Sequence, residues 1–417
     1  MADSTTRSLP QHSIEEEEDS SSKIVSKPTD NIPIEIIPDE EMFLIEAAFA
    51  SATRTFLPPL TQLQKNKGGR SITSISVLSK KRFSGVSGCG SIPVGDIEDS
   101  ARDGIGQKKK KKIKSNETLL YQFRRKRGLA VTDLTATEWC EKQMEFILFR
   151  GKAKPTKAMK VGAARHAELE EEVVKKVPIQ VTSAEDKWAL RFINFIVGAN
   201  QLLFEGLTRE LPLVSFEKGL WIVGIIDEVR MPLSETETYA TLVDTKTRVL
   251  ARLPSAPQQR NGRLQLMCYK RLWDNLVADK FPSGKFFDFF VLNPHRILSS
   301  DIRECTAKSG FPAETLNDLV NFYLNSCRLL PPANTELLLR YELQEDQSLI
   351  GEDQFEYDGD WLDSQLTSCL EFWRGERDPH YAPEEERWKC RFCKFSSLCP
   401  VNADNGSLAS TSSSTGG

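Results

Sequence analysis

Leu220-Trp221-Ile222-Val223-Gly224-Ile225-Ile226-Asp227-Glu228 and Leu242-Val243-Asp244-Thr245-Lys246 decide how this chain is read. Each is a short apolar run that ends in acid, and the second continues as acid-x-lysine. Runs of this length with flanking turn residues read as buried strands. Side chains along a strand alternate faces, so Asp244 and Lys246 share one. The polar stretch Pro232 to Thr238 lies between the runs and predicts a β-hairpin, which sets Asp227 beside Asp244. Two carboxylates held together can bind a hard cation such as Mg²⁺ or Mn²⁺ through oxygen. A lysine beside that cation can orient a water or offset charge developing on a phosphate. This pattern points to metal-dependent phosphodiester hydrolysis.

Outward from the hairpin, helices and strands alternate, and the class is mixed α/β. Folded sequence is expected from Leu119. A helix is predicted to start near Leu134 with Thr135 as N-cap, followed by helices over Lys157 to Lys175 and Ala184 to Phe204. Strands are predicted at Glu210 to Val214, Leu220 to Val229 and Tyr239 to Lys246, and then a helix over Arg260 to Ala278. Phe286 to Leu292 reads as a further strand and Thr315 to Leu329 as a helix. Glu336 to Leu343 and Gln347 to Tyr357 read as a strand pair before a helix from Trp361 to Trp373.

Residues 1–118 are rich in Ser, Thr, Pro, Gly, Glu and Lys and are expected to be disordered, as is the Ser/Gly-rich tail 402–417. The one apolar exception, Glu41 to Phe49, could form a short amphipathic helix. The run Lys108 to Lys112 suits a nuclear localisation signal or a nucleic-acid tether. Arg124-Arg125-Lys126-Arg127 is a second basic cluster. The net charge of −4 does not by itself mark a nucleic-acid binder, since local patches decide. No apolar run reaches the roughly 18 residues of a membrane-spanning helix. The first residues are polar and acidic, unlike a secretory signal. Nine cysteines without such a signal are expected to be free thiols or metal ligands.

Three further motifs carry chemistry. His166, one of four histidines, shares a helix face with Glu170 and can ligate a cation among carboxylates. Gln265 and Tyr269 lie four residues apart on the helix after the Asp-x-Lys strand. With Arg260, Arg263, Lys270 and Arg271 around them, they could line a strand-binding channel. Arg248, two residues beyond Lys246, is a further substrate-binding candidate. Cys390, Cys393 and Cys399 form C-x2-C-x5-C, a spacing that holds zinc or an iron–sulfur cluster. A fourth ligand is needed. The remaining cysteines, Cys140 among them, and His380 are candidates, and local sequence does not choose between them.

Gly162-x3-His166, Ile226-Asp227, Asp244-x-Lys246, Gln265-x3-Tyr269 and the cysteine motif occur in this order. From about Leu119 to Pro400 the chain thereby resembles eukaryotic exonuclease V, in the RecB-like branch of the PD-(D/E)XK nucleases. The resemblance implies a restriction-endonuclease-like core, a mixed sheet flanked by helices, forming one nuclease domain over 119–401. It implies Asp227 and Asp244 as ligands of catalytic Mg²⁺ or Mn²⁺, His166 as a third ligand and Lys246 as the active-site lysine. It implies that Cys140 completes a [4Fe-4S] cluster with Cys390, Cys393 and Cys399. Such a cluster would act as a staple, because its ligands come from opposite ends of the folded region. Exonucleolytic cleavage of single-stranded DNA in repair or genome maintenance is the implied activity. A single-strand-binding protein as partner, a monomeric state and no membrane association are expected with it. The nucleus is the expected compartment, with chloroplast or mitochondrion as alternatives. The family usually has Glu where this chain has Asp244, which is one methylene shorter. Two other readings are a non-catalytic nucleic-acid-binding module with a cysteine-bound zinc and a repair-complex scaffold.

Overall fold

The computed structural model describes residues 74–80, 117–152, 154–232 and 238–401. The expected amphipathic segment Glu41–Phe49, the lysine run at 108–112, the hairpin turn at 233–237 and the tail 402–417 lie outside these residues. The described residues all belong to the unit Ile36–Gly417.

The hairpin β4 (Leu207–Glu217) and β5 (Leu220–Arg230) forms the spine of the main sheet. Its turn is Lys218-Gly219, with φ of 46° and 81°. Two successive positive φ values make the tight turn whose twist matches that of the flanking strands. They fix Glu217 opposite Leu220 and every pair behind it. β4 covers one edge of β5 along its whole length. The other edge is shared. β2 (Leu129–Ala130) runs parallel to Ile222 and Val223, and β6 (Thr241–Arg248) pairs antiparallel with Glu228 to Arg230. A fork therefore opens along β5 between Gly224 and Asp227. Beyond β6 the sheet continues through parallel β7 (Glu336–Leu343) and antiparallel β8 (Leu349–Glu356).

Helices α1 (Leu119–Arg124), α2 (Val131–Trp139), α3 (Glu141–Arg150) and α4 (Lys157–Val173) precede the spine. The strand β3 (Val174–Gln180) follows α4 and pairs in parallel with β1 (Ser74–Lys80). The stretch read as low-complexity thus contributes a strand. Helix α5 (Ala184–Glu205) leads into β4, and α6 (Ala256–Val277), α7 (Ser283–Phe290), α8 (Ser300–Lys308) and α9 (Leu316–Leu329) form the crossover from β6 to β7. Helix α10 (Gly359–Arg374) and a 3-10 turn, Glu384–Arg391, complete the described chain. One apolar core runs through it, with Phe192, Trp221, Phe281, Phe286 and Tyr323 in mutual ring contact. No described helix is long and apolar enough to cross a membrane.

Two further expectations differ from the structure. Phe286 to Leu292 is not a strand. Phe286, Phe287 and Phe290 are buried at helical spacing, and α7 ends at Val291 in the left-handed region. An apolar run this short fits either period, and packing decides. The helix α2 begins earlier than Leu134, because Asp133 accepts the Ala130 N–H at 3.0 Å and caps the first turn. Thr135, read as the cap, lies inside the helix and donates to the Thr132 carbonyl.

Candidate active site

The hairpin register puts three acids in one row. Arg209 pairs with Glu228 and Leu211 with Ile226, so Glu210 stands opposite Asp227. Glu228 pairs with Val243, so the next position sets Asp227 opposite Asp244. Directly opposed residues of antiparallel strands point to the same face. Glu210, Asp227 and Asp244 therefore sit side by side on three adjacent strands, and Lys246 shares the face of Asp244. Regular pairing stops along the row: Glu210 has φ 51°, and the Asp227 carboxylate takes the Thr245 N–H at 2.9 Å. A non-glycine residue in the left-handed region costs energy and concentrates at functional sites.

Asp244 is 0% exposed, and neither of its oxygens accepts a hydrogen bond. Lys246 Nζ lies 2.7 Å from Oδ2 as an ion pair, in an orientation that is not a hydrogen bond. The lysine donates instead to Gln265 Oε1 at 2.9 Å. Like charges directly opposed across strands are unfavourable. The strain shows at Asp227: burial first, and then the Asp244 and Glu210 charges, push its carboxyl well above the usual range. The His166 and Lys246 charges offset only part of this.

His166 reaches the row from α4. Its Nε2 lies 3.0 Å from the Thr245 carbonyl, an acceptor only, so this nitrogen carries the proton. Nδ1 then faces Glu210 Oε1 at 3.2 Å and Asp227 Oδ2 at 3.7 Å. Burial pushes the imidazole pKa down, but the Asp227 and Glu210 carboxylates outweigh it and raise it to about 9. Ligand atoms of His166, Glu210 and Asp227 all lie within 4.8 Å of one another. A buried carboxylate whose oxygens accept no hydrogen bond, beside an imidazole and two further carboxylates, suits a hard divalent cation. A backbone carbonyl that fixes the imidazole tautomer is the usual support of a metal-bound histidine. Glu170, read as the face-mate of His166, does not join these ligands.

Gln265 and Tyr269 are turned inward. Tyr269 is 0% exposed, too buried to stack a base, and its hydroxyl accepts from Gln265 Nε2 at 3.2 Å. The pair holds Lys246 rather than a nucleic acid. The ring needs Gly224, because a Cβ there would stand 2.6 Å from Tyr269 Cε1. The basic residues of α6 are also spoken for. Arg260 bonds Glu138 and Glu386, Arg263 bonds Asp353, Lys270 bonds Asp274, and Arg271 bonds Glu217 and Asp363. Arg248 is 6% exposed, within the fold rather than on a surface that substrate could reach. The structure thus buries Gln265, Tyr269 and Arg248 and pairs each basic side chain of α6 with a carboxylate.

Cys140, Cys390, Cys393 and Cys399 line one cavity with Trp139 and Phe146, and all four are free. The Cys140 thiol leaves the chain at the extended link between α2 and α3. Burial, and then the neighbouring thiols, push Cys393 up to about 11. Four sulfurs that repel one another as thiolates suit a cationic metal group. Among the described residues, no three of them close within 4.8 Å. Arg377 ties the segment down through two bonds of 2.5 and 2.6 Å to Glu141 on α3.

The chain matches the family described as "Exonuclease V - a 5' deoxyribonuclease" over residues 118–240, 232–320 and 304–400. The chain belongs to the exonuclease V family. Exonuclease V of Danio rerio is 28% identical over 303 residues, 71% of this chain and 76% of the relative. The mitochondrial exonuclease V of Candida dubliniensis is 34% identical over 67 residues, which is 16% of this chain and 10% of that protein. The crystal structure of SSO0001 aligns at 12% identity over 66% of this chain and 86% of its own, with a TM-score of 0.28, too low to carry an argument. Among the residues that the fold gathers at this site, Glu210 is the one the motifs missed. Counting back from Asp227 through the Lys218-Gly219 turn would have found it.

Proposed function

We propose that the chain is a divalent-cation-dependent 5′ exonuclease of single-stranded DNA, built on a PD-(D/E)XK core. The observation that carries this is the acid row Glu210–Asp227–Asp244 beside Lys246, with Asp244 buried, ion-paired to Lys246 and accepting no hydrogen bond, in a chain of a deoxyribonuclease family. Asp227 and Asp244, with His166 and Glu210, would hold Mg²⁺ or Mn²⁺. The bound cation polarises a phosphate and acidifies a water.

Lys246 neutralises Asp244 until substrate arrives and then offers its charge to the phosphate undergoing attack. Gln265 and Tyr269 keep the ammonium in place, so no reorganisation is needed at the moment of reaction. The four cysteines would carry a [4Fe-4S] cluster with a structural role, since hydrolysis transfers no electron. It would clamp α3 to the C-terminal segment across about 250 residues of chain, where loop-closure cost is high. Nuclear placement rests on the lysine run 108–112. The mitochondrial Candida relative supports the organellar alternative. A monomer working with a single-strand-binding protein in repair completes the reading.

The test is cleavage of end-labelled single-stranded DNA by anaerobically purified protein, with Mg²⁺ and with EDTA, beside Lys246→Ala and Asp227→Ala. Mg²⁺-dependent release of short products from the 5′ end, lost in both variants at unchanged iron content and melting temperature, is expected. Cleavage that survives EDTA or both substitutions would overturn the reading.

A further inference from the structure

Every basic side chain of α6 is paired with a carboxylate, whereas phosphates are most readily held by cations that are not. Among the described residues, a run of exposed cations without carboxylate partners lies on α1, the end of α3 and the start of α4. From Phe149 to Val161 the sequence has Arg150, Lys152, Lys154, Lys157 and Lys160 and no acid. Arg150, Lys154, Lys157 and Lys160 are exposed, as are Arg125 and Lys126 on and just after α1. Among the described residues none of these six forms an ion pair with a carboxylate.

The basic cluster Arg124 to Arg127 is thus divided by the fold. Arg124 is buried against Asp133 through bonds of 2.6 and 2.7 Å and serves the core. Arg125 turns outward and stacks its guanidinium 4.7 Å from the Tyr121 ring.

Two aromatic rings stand among these charges. Tyr121 is 45% exposed and Phe149 43% exposed. Phe149 meets Phe123 edge-on at 5.2 Å, which joins α1 to the end of α3. The strip then runs into α4, the helix that delivers His166 to the acid row. From Lys160 to His166 is six residues, or about 9 Å along the helix.

We infer that this strip, Tyr121 and Arg125 on α1, Phe149 and Arg150 on α3, and Lys154, Lys157 and Lys160 leading into α4, is the track that holds single-stranded DNA on its way to the acid row. Exposed rings with interleaved cations are the chemistry that binds unpaired bases and their backbone without reading sequence. A duplex hides its base faces, so the rings favour an unpaired strand. The inference deepens the proposed activity and rests on it for the choice of substrate.

The test is fluorescence anisotropy of a labelled oligo-dT on the full, anaerobically purified chain in EDTA, across a salt series. One variant carries Arg150→Gln, Lys154→Gln, Lys157→Gln and Lys160→Gln. A control carries Lys280→Gln, Lys285→Gln, Arg296→Gln and Lys308→Gln, four exposed cations on the α7–α8 side with the same charge change. Each phosphate left without its cation lowers the slope of log K against log salt by about 0.7, so the first variant should fall by roughly 2 to 3 units of slope and the control by almost none. Tyr121→Ala should weaken binding roughly fivefold or more with little change of slope, as removal of a stacking ring does. An equal fall in both quadruple variants would overturn the track, because only net charge would then matter. Unchanged affinity and slope in the first variant would also overturn it. If the wild-type chain binds with these differences but cleaves nothing with Mg²⁺, the track stands and the nuclease reading fails. If it cleaves but the variants bind alike, the reverse holds.

Discussion

Gly224→Ala tests whether the buried side chains behind Lys246 act as one unit. A Cβ at this position would meet Tyr269 Cε1 at 2.6 Å and Val131 Cγ2 at 3.0 Å, and both neighbours are fully buried. Ordinary contact begins near 3.4 Å, so the tyrosine ring must retreat by 3.4 − 2.6, or about 0.8 Å. Overpacking of this kind costs about 1–3 kcal/mol. At roughly 2 °C per kcal/mol for a domain of this size, melting should fall by about 2–6 °C. The ring carries the hydroxyl that accepts from Gln265, and Gln265 holds Lys246. A catalytic group displaced by close to 1 Å can lose up to about a hundredfold in rate, so kcat on single-stranded DNA should fall ten- to a hundredfold with KM little changed. Tyr269→Phe is the companion: it removes the hydroxyl without the clash, and should lower kcat at nearly unchanged melting. A Gly224→Ala protein that melts like wild type would refute the packing argument. One that melts early yet keeps wild-type kcat would refute the link from Tyr269 to Lys246.

Three further outcomes follow from other parts of the fold. His166, raised to about 9 in the metal-free protein, stabilises it fully below its ordinary 6.5 and loses that contribution as pH rises through 9. A cation on Nδ1 must displace that proton, so Mg²⁺ or Mn²⁺ affinity should rise with pH toward 9. Calorimetry in buffers of different ionisation enthalpy should count proton release that His166→Ala lacks. At Asp133, burial pushes the carboxyl up, but Arg124 and hydrogen bonds outweigh it and leave it low. Asp133→Asn should therefore cost about 3–5 kcal/mol in urea unfolding at neutral pH, and the deficit should shrink as pH falls below 3.8. Anaerobic protein should contain iron and acid-labile sulfide, and Cys140→Ser should lower both together with the melting temperature. A single zinc with no iron would contradict this.

The row of acids was two-thirds legible. Asp227 and Asp244 follow short apolar runs that read as buried strands, and the turn-like stretch between the runs sets the two acids side by side. Glu210 escaped because it belongs to no short motif. Its place comes from a turn, Lys218-Gly219, whose consequence is felt eight residues away. The Gln265 helix was recognisable as a helix, but its surroundings were not. Whether Arg263 faces solvent or Asp353 depends on β8, ninety residues on, and no local pattern encodes that. Phe286 to Phe290 failed for the opposite reason: four aromatics in five residues satisfy either period, and only the core around Trp188 and Trp221 selects the helix. Cys140 could not be singled out by spacing, because its partners meet it through the whole intervening fold.

That last feature also sets a timetable. The catalytic sheet is complete once Glu356 has been synthesised, whereas the cavity of Cys140 must await Cys390 to Cys399. At roughly 5–20 residues per second, the stretch of about 34 residues from Glu356 to Cys390 takes roughly 2 to 7 seconds to appear. Through that interval the nascent chain holds its acid row in place while α3 has no clamp. If the cysteines carry the proposed cluster, they would serve as a completion signal: a ribosome that stalls after β8 would release an assembled row of carboxylates that has never been locked.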